Sequence, residues 1–348
     1  MSAPRKGSMA DLARELGVSV STVSRALSGS SQIGPEMRTK VRALAETMGY
    51  VVNPLASSLR TGRSRILLVL VPKLENYNFP ALLRATERAA AQRGYTLMIG
   101  YVEAGSDTDD RLMEFLYSGA ADGVIIATGI APPSLCRRLD AGESWPAVCV
   151  LSRGDREDLP SICIDDRQAG RDVHDALRAA GYRRLAQVTG ADGPTSVGRV
   201  RADGFAEGAT RAGEPPPPTF DGPFSVGSGQ ARAAEIAALA GELDAVFCGN
   251  DEIAFGLVNG LIDLGIDVPG RLSVFGFDDI RFSSVFRPRL STVGQPIGEI
   301  GETAVDELVR MIETGIPAQG RTMTHRIVFR DSAPDHAATR PVAAGRAD

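Results

Sequence analysis

The sequence offers few residues that could carry out chemistry, and the most suggestive are two adjacent carboxylates, Asp278 and Asp279. They follow an apolar run, Leu272–Phe277, which is typical of a buried strand. Paired carboxylates at the end of a strand could bind a metal ion or perform acid–base catalysis. They could equally accept hydrogen bonds from a hydroxyl-rich small molecule. The pair by itself leaves both interpretations open.

The other candidate groups do not complete an active site. The histidines His174, His325 and His336 are too few and too scattered for catalysis or zinc binding. We expect His174 on a solvent-facing side of a helix and His325 in a strand. The motifs G-x-S-x-G, G-x-x-x-x-G-K-[ST] and G-x-G-x-x-G do not occur, which argues against hydrolases, phosphate-binding loops and dinucleotide-binding folds. We therefore expect no enzymatic activity, no cofactor and no metal.

The four cysteines, Cys136, Cys149, Cys163 and Cys248, lie far apart and mostly within apolar runs. Disulfide frameworks and zinc sites use shorter, regular spacings, so we interpret the cysteines as reduced core residues of a cytoplasmic protein. The longest apolar run, Ile66–Val71, is far shorter than the roughly 20 residues that span a membrane. We expect neither a membrane segment nor a secretory signal.

Charge is distributed unevenly along the 348 residues. Residues 1–65 carry ten basic and four acidic side chains, a net charge of +6, and the whole chain carries −5, which leaves −11 for the remainder. A basic head on an acidic body favours a polyanionic partner for the head, and nucleic acid is the obvious one. The length and the 43% of hydrophobic residues indicate two or three globular domains.

The first fifty residues predict three short helices. Ser8 and Asp11 have the spacing of a capping box, and Gly17 ends the first helix. Ser19 caps the second helix, and Pro35 suits the first turn of the third. Two helices joined by a tight turn are typical of a helix-turn-helix.

From Ile66 onward, apolar runs alternate with amphipathic stretches. This alternation predicts parallel sheets covered by helices on both faces, and about nine repeats exceed one ordinary sheet, so we predict two lobes. A ligand would bind at the carboxyl ends of the strands. The predicted strands are Ile66–Val71, Thr96–Val102, Gly123–Ala127, Ala147–Leu151, Ser161–Ile164, Leu185–Val188, Ala245–Cys248 and Leu272–Phe277. The predicted helices include Pro80–Arg93, Arg167–Ala180, Ala231–Leu239 and Glu252–Leu264.

A series of motifs runs through nearly the whole chain, from about residue 8 to residue 333. The head contains MADLARELGVSVSTVSRALS at 9–28, and MGYVVNPLASSL follows at 48–59. The body contains GY at 94–95, ADGVI at 121–125, IDD at 164–166, GY at 181–182, RADGF at 201–205, CGNDE at 248–252, VFGFDD at 274–279, LSTV at 290–293 and FRDS at 329–332. In this order and spacing, the motifs resemble the LacI/GalR family of bacterial transcription regulators.

The resemblance implies that the second helix of the head enters the major groove of DNA. Val20, Ser21 and Arg25 would then face the bases, and Arg25 could donate two hydrogen bonds to a guanine. The residues placed for phosphate contacts are Ser19, Thr22 and Ser24.

The segment that follows the head has two interpretations. By itself, the stretch from Asn53 to Arg60 favours a plain linker, because a helix of two turns is marginal in water. The resemblance implies instead a hinge that folds on the operator and pairs with its twin in the minor groove. Leu59 would wedge into the central base step, and Ala56 would let the two hinges approach each other. The hinge residues assigned to the DNA interface are Asn53, Ala56 and Leu59.

For the body, the resemblance implies a periplasmic sugar-binding fold with a small molecule between two lobes. The implied ligand-binding residues are Asn78, Phe79, Asp166, Arg201, Phe224, Asn250 and Asp278, and we place Arg201 at the beginning of its helix. Phe79 and Phe224 could instead belong to the core, and Asp166 could instead cap the helix that follows it.

Two departures from the family pattern leave the ligand class open. Ser152-Arg153 stands where many members have Asp-Arg, and Asp165-Asp166 stands where many have Asp-Asn. The expected effector is therefore a sugar, a sugar derivative or a purine. No leucine heptad of the kind that builds tetramers is present near the C-terminus, which favours a homodimer.

The predicted organisation is a helix-turn-helix head (1–52), a hinge (53–63), a body of two parallel-sheet lobes (64–335) and a disordered tail (336–348). The predicted function is a cytoplasmic, effector-controlled repressor of carbohydrate-related genes that binds a near-palindromic operator. The alternatives are a ligand-binding protein with a vestigial head and an enzyme fused to a helix-turn-helix.

Overall fold

The computed structural model describes residues 8–27, 30–50, 62–72, 78–102, 108–190 and 196–337. The chain divides into two compact units, Met1–Ser64 and Arg65–Asp348. The second unit begins one residue after the predicted start of the body. In the described ranges, no helix is both long enough and apolar enough to cross a membrane.

The first unit contains three helices, α1 (Met9–Leu16), α2 (Val20–Leu27) and α3 (Pro35–Thr47). The predicted capping box is present, because the Ser8 side chain accepts from the Asp11 N–H while the Asp11 carboxylate accepts from the Ser8 N–H. Gly17 ends α1 at φ 63°, in the left-handed region that glycine adopts without strain. Apolar side chains from all three helices form the core of this unit, among them Leu12, Ala13, Val23, Ala26, Val41 and Ala45.

The second unit alternates strands and helices, as the sequence predicted. Its elements in chain order are β1 (Ile66–Val71), α4 (Asn78–Gln92), β2 (Thr96–Tyr101), α5 (Thr108–Tyr117), β3 (Gly123–Ile126), α6 (Pro133–Asp140), β4 (Ala147–Val150), β5 (Ser161–Ile164), α7 (Asp166–Ala179), β6 (Leu185–Val188), α8 (Val197–Arg211), β7 (Thr219–Phe220), α9 (Val226–Ala238), β8 (Ala245–Cys248), α10 (Asp251–Asp263), β9 (Ser273–Phe275), β10 (Thr292–Gly294), α11 (Ile297–Thr314), β11 (Arg321–Met323) and β12 (Arg326–Val328). A short 3-10 helix, Arg281–Ser284, follows β9.

The strands form two parallel sheets, which define two lobes. The first-lobe sheet has the order β11-β5-β4-β3-β1-β2, and the second-lobe sheet has the order β7-β6-β8-β9. A third, two-stranded sheet pairs β10 with β12 antiparallel, and this pair was not predicted. Strands β7 and β10 to β12 are two or three residues long, too short to produce a readable hydrophobic pattern.

The chain passes between the two lobes three times: from β5 to α7, from β10 to α11 and from β11 to β12. Gly294 of strand β10 forms a parallel β-bridge with Asp278, which follows strand β9. This bridge places β10 beside the second-lobe sheet. Helix α11 returns to the first lobe, where Ile300, Ala304 and Leu308 join the core that surrounds β1. The carboxyl ends of the strands and these crossing segments therefore lie around one cleft.

Three of the four cysteines are buried, as predicted for reduced core residues, and Cys136 is the exception. Cys149, Cys163 and Cys248 are buried, Cys136 is only partly buried, and none of the four forms a disulfide. Burial raises the pKa of the Cys149 and Cys163 thiols to about 12, so both remain protonated at neutral pH.

The predictions for two histidines were wrong. His174 is 1% exposed, and its ring nitrogens lie 3.2 Å from Asp175 Oδ1 and 3.3 Å from Glu214 Oε2. Gly208 of the neighbouring helix makes room for it, since a Cβ there would lie 2.7 Å from the His174 Cβ. His325 lies between β11 and β12 rather than in a strand, and its Nε2 is 3.0 Å from Asp172 Oδ2.

Candidate functional site

The beginning of α2 is organised by a network of hydroxyl groups. Ser19 Oγ accepts from the Thr22 N–H at 3.1 Å, which satisfies one free donor of the first turn. The same oxygen is 2.7 Å from Ser21 Oγ and 2.9 Å from Thr22 Oγ1. Ser19 therefore caps the helix as predicted, and its position before α2 leaves the predicted phosphate contact feasible.

One face of α2 is available for contact. Val23 and Ala26 point into the head core, whereas Val20, Ser21 and Arg25 are exposed on the other side. Ser24 lies between them on the same face and is half-buried. At 100° per residue, positions 20, 21, 24 and 25 share one side of a helix.

Val20 is the apolar member of this face, and its side chain is 47% exposed. An apolar side chain at this position could offer only an apolar contact to a base, for example to the methyl group of a thymine. The predicted hinge residues Asn53, Ala56 and Leu59 lie outside the described residues.

Arg201 is the centre of a second site, in the cleft of the second unit. Helix α8 begins at Val197, so Arg201 lies one turn into the helix. The prediction that Arg201 lies at the beginning of its helix is therefore wrong. Arg201 as a whole residue is 4% exposed. Its Nε donates to Asp166 Oδ1 at 2.8 Å, and its Nη1 donates to the Gly249 carbonyl oxygen at 2.8 Å. The Arg201 Cζ also lies 3.7 Å from the centre of the Phe277 ring, a cation–π contact that fixes the guanidinium plane.

The Asp166 side chain is available to Arg201 because Asp165, and not Asp166, caps helix α7. The Asp165 side chain accepts from the Gln168 N–H at 2.9 Å and is the N-cap of α7. The alternative that Asp166 caps the helix is therefore wrong. Asp166 is the first residue of α7, is buried, and directs its carboxylate to Arg201.

Asp278 and Asp279 separate into two roles. Asp278 Oδ1 accepts from Gln295 Nε2 at 2.7 Å and lies 3.6 Å from Arg201 Nη1. Asp279 instead forms ion pairs with Arg326 at 2.8 Å and Arg330 at 2.7 Å. The adjacent carboxylates thus do not act as a pair, and no cluster of three or more potential metal ligands occurs in the described part of the chain.

The backbone at this turn is strained. Asp278 has φ 119° and Asp279 has φ 53°, in a region that residues with a Cβ rarely adopt. Strain of this kind persists where the surrounding structure over-determines it, and it concentrates at functional sites. The turn holds the Asp278 carboxylate in the cleft.

The buried carboxylates experience opposing electrostatic effects. Burial raises the pKa of Asp166 and of Asp278, and the positive charge of Arg201 counteracts that rise for both. A hydrogen bond from the Asn78 side chain also favours the ionised form of Asp278. Asn78, the first residue of α4, therefore contributes from the first lobe, as predicted.

Asn250 is oriented by its own helix. Its Oδ1 accepts from the Ile253 N–H at 2.9 Å and caps α10, while its buried Nδ2 has no hydrogen-bond partner among the described residues. The buried Oε1 of Gln295 also has no hydrogen-bond partner among the described residues. Other buried side-chain atoms of the described residues also lack partners. The position of these two groups beside Arg201 and Asp278, and not the missing partner alone, makes them candidate contacts for a ligand.

Gln295 is the site residue that sequence reasoning missed. It lies in the segment that crosses from β10 to α11, and its amide binds Asp278. Its only sequence signal was its place directly after the LSTV motif and Gly294.

The two aromatic candidates differ in position. Phe79 is buried in the first-lobe core, which supports the alternative that it is a core residue. Phe224 is half-buried, and its ring centre lies 5.9 Å from the Arg201 Cζ, so it borders the cluster.

Comparison with known proteins identifies the family. A model described as "Bacterial regulatory proteins, lacI family" matches residues 8–53, and one described as "Periplasmic binding protein-like domain" matches residues 174–333. The HTH-type transcriptional regulator GntR of Pseudomonas aeruginosa is 30% identical over 305 residues, which cover 87% of this chain and 88% of that protein. The chain belongs to the lacI family of bacterial regulatory proteins.

This lacI-family regulator is also 29% identical to the ribose operon repressor of Escherichia coli (strain K12) over 332 residues, which cover 93% of this chain and 99% of the repressor. A crystal structure of the lac repressor dimer bound to operator and the anti-inducer ONPF matches its fold with a TM-score of 0.81 at 24% identity, covering 95% of this chain and 100% of that one. The predictions of the family, the fold class and a DNA-binding, ligand-responsive regulator without enzymatic activity are confirmed.

Proposed function

We propose that this regulator represses carbohydrate-related genes by binding a near-palindromic operator as a homodimer, under the control of a small molecule in the cleft of its body. The observation that carries the proposal is the buried cluster of Arg201, Asp166 and Asp278. Beside it lies the buried Nδ2 of Asn250, which has no hydrogen-bond partner among the described residues. A hydrogen-bond acceptor on a bound ligand could satisfy this Nδ2 group. The name of the ribose operon repressor supports the carbohydrate assignment.

In the proposed complex, α2 lies in the major groove. Val20, Ser21 and Arg25 contact base edges, and Arg25 carries most of the sequence preference because its guanidinium can donate two bonds to guanine. Ser19, Thr22 and Ser24 position the helix on the phosphates. The hinge residues Asn53, Ala56 and Leu59 contact the minor groove, with Leu59 inserted between base pairs. A regulator that binds an operator acts where the DNA of the cell is, so the proposal also assigns the protein to the cytoplasm, in association with the nucleoid.

The effector would act through the crossing segments. Asp166 lies where the chain passes from β5 to α7, and Gln295 lies where it passes from β10 to α11. A ligand that binds both residues changes the relative free energies of open and closed lobes. Operator affinity then changes by the difference in ligand affinity between the two states.

The proposed homodimer is supported by the surface of the first lobe. Strand β2 forms one edge of its sheet, and Ile99 and Tyr101 on that strand are 51% and 48% exposed. Two large apolar side chains on the same side of an edge strand favour contact with another surface. A dimer would also place two recognition helices on the two halves of a palindrome.

The test is operator selection followed by effector titration. We expect the purified chain to enrich a near-palindromic sequence from random DNA, to bind it more tightly than scrambled DNA, and to change that affinity when a ligand binds. Tight ligand binding without sequence-specific DNA binding would favour the alternative of a vestigial head.

A further inference from the structure

We propose that the second lobe carries a second effector site, which binds a small aromatic carboxylate away from the cleft. A cavity of about 500 Å³ lies at the amino ends of strands β6, β7 and β8. The cleft lies at the opposite edge of the same parallel sheet, at the carboxyl ends of its strands. The cavity has the size of a small-molecule site, and none of its described lining residues belongs to the cleft cluster. The site therefore goes beyond the function proposed for the cleft.

One wall of this cavity is the run of four prolines at positions 215–218, between α8 and β7. Each pyrrolidine ring fixes the backbone φ angle of its residue, so this wall is rigid before a ligand arrives. Leu239 and Leu243, which lie between α9 and β8, and Ala209 of α8 add apolar surface. A flat apolar ring can pack against these surfaces, and its burial would supply most of the binding free energy.

The described part of the rim carries three arginines, and two of them are paired with carboxylates. Arg178 Nη2 lies 2.5 Å from Glu214 Oε1, and Arg184 Nη2 lies 2.6 Å from Asp244 Oδ1. The hydrogen bond and the charge of Asp244, followed by the charge of Glu242, raise the pKa of Arg184. The negative charges on and beside the rim therefore act mainly on Arg178 and Arg184.

Arg183 is the third arginine, and it is held in place without a carboxylate. Its Nη1 donates to the carbonyl oxygen of Arg178 at 2.8 Å and to that of Tyr182 at 3.3 Å, and it forms no ion pair with any described residue. A carbonyl oxygen orients the guanidinium but does not cancel its charge. The N–H groups on Nε and Nη2 form a fork that can bind a carboxylate with two parallel bonds. An aromatic carboxylate therefore complements both the apolar wall and Arg183.

Helix α7 connects the cavity to the cleft. Arg178 lines the cavity near the end of α7, and Asp166 of the cleft cluster is the first residue of the same helix. Helices α7 and α8 are in backbone contact, because a Cβ at Gly170 would lie 2.2 Å from the Arg201 carbonyl oxygen. With so little space between them, a displacement of α7 is passed to the backbone that carries Arg201. A ligand that shifts α7 therefore changes the Asp166–Arg201 pair, and this couples the two sites.

The experiment measures the binding of matched probes to the full-length chain by calorimetry. Three aromatic carboxylates, benzoate, phenylacetate and 2-naphthoate, are each compared with the uncharged amide of the same ring system, and acetate tests the carboxylate alone. We expect at least one aromatic carboxylate to bind at least about tenfold more tightly than its amide and than acetate. Equal binding of acid and amide, or no binding by any of the three acids, would overturn the proposal.

Variants locate the bound probe. Arg183→Gln removes the charge from an exposed position, so we expect an unchanged melting temperature without ligand and loss of the preference for the acid over the amide. Leu239→Trp narrows the cavity and should weaken acid and amide alike. The control is Arg211→Gln, an exposed arginine at the end of α8 that does not line the cavity. If Arg183→Gln binds the acid as tightly as the control does, the probe binds elsewhere and the site is wrong.

Operator binding by the same preparations tests the effector role. We expect saturation with the tightest-binding carboxylate to change operator affinity by at least about fivefold in the unsubstituted chain and to leave it unchanged in Arg183→Gln. An unchanged affinity in both chains would overturn the effector role. If the chain recognises no operator while the carboxylate still binds through Arg183, the function proposed for the regulator is wrong and the binding site stands.

Discussion

Arg201 Nε donates to Asp166 Oδ1 at 2.8 Å, and this bond joins the second turn of α8 to the first residue of α7. Both side chains are almost fully buried, at 5% and 7% exposure. A buried ion pair adds little net stability, but removal of one partner leaves the other charge uncompensated. The pair therefore fixes the geometry of the cleft more than it stabilises the fold.

The first prediction concerns this pair. Arg201→Met should lower the free energy of unfolding by about 3–5 kcal/mol at neutral pH, because Asp166 and Asp278 then remain buried without a cation. The loss should shrink as pH falls, since protonation removes the uncompensated charge. Urea unfolding of Arg201→Met, Asp166→Asn and the double variant measures the coupling. Additive effects of the two substitutions would contradict a direct interaction.

The second prediction concerns Asp251, at the beginning of α10. Burial raises the pKa of Asp251 to about 8, with a further rise from the nearby Asp278 charge, despite hydrogen bonds from Ser283, Thr292 and Ile280. The unfolded chain releases this proton near pH 4, so the folded state binds more protons between about pH 4 and 8. The contribution of this group to stability therefore declines as pH rises through that window, by at most about 1.4 kcal/mol per pH unit.

Asp251→Asn should flatten this part of the stability profile. The measurement is the free energy of unfolding from pH 5 to pH 8.5, compared with Asp263→Asn, which removes an exposed carboxylate from the other end of the same helix. An identical pH slope in both variants would show that Asp251 titrates in its ordinary range.

The third prediction concerns Arg25. Arg25→Ala should cost about 1–3 kcal/mol of operator binding while it weakens binding to random DNA only slightly, because a bond to a base edge is lost. Arg14→Ala in α1 is the control, since that side chain is exposed and pairs with Asp11. Filter binding on both DNAs decides the matter, and an equal loss on both would make Arg25 a phosphate contact.

The fourth prediction concerns the hinge. Leu59→Ala should reduce operator bending and affinity while ligand binding by the body stays unchanged, because an intercalated leucine acts only on the bound duplex. The bend is measured from the gel mobility of circularly permuted operator fragments. An unaltered bend angle would contradict the insertion of Leu59 and would favour the interpretation that the segment from Asn53 to Arg60 is a plain linker.

The fifth prediction concerns the dimer. Replacement of both Ile99 and Tyr101 by lysine should raise the dimer dissociation constant by about tenfold or more, because charges would enter an apolar interface. Ile316→Lys is the matched control, at 54% exposure in the segment after α11. Sedimentation equilibrium distinguishes the variants, and an unchanged constant would place the interface elsewhere.

The sequence by itself determined the longer strands and helices and their order. Runs such as Ile66–Val71 and Ala245–Cys248 became strands with the predicted bounds, because four to six consecutive apolar residues between polar turns have few alternatives. The helix-turn-helix was equally predictable, since Ser8, Asp11 and Gly17 act through their own neighbours along the chain. Interactions between residues that are close in sequence can be predicted from the sequence alone.

The tertiary structure decided what depends on distant parts of the chain. Asp278 faces the cleft while its neighbour Asp279 pairs with Arg326 and Arg330, and no local pattern distinguishes two adjacent carboxylates. Gln295 joined the site, and Phe79 was assigned to the core, for the same reason. His174 is buried because Gly208, 34 positions later, leaves space for its ring. Such roles arise from packing between helices and strands that are remote in sequence, which periodicity and spacing do not encode.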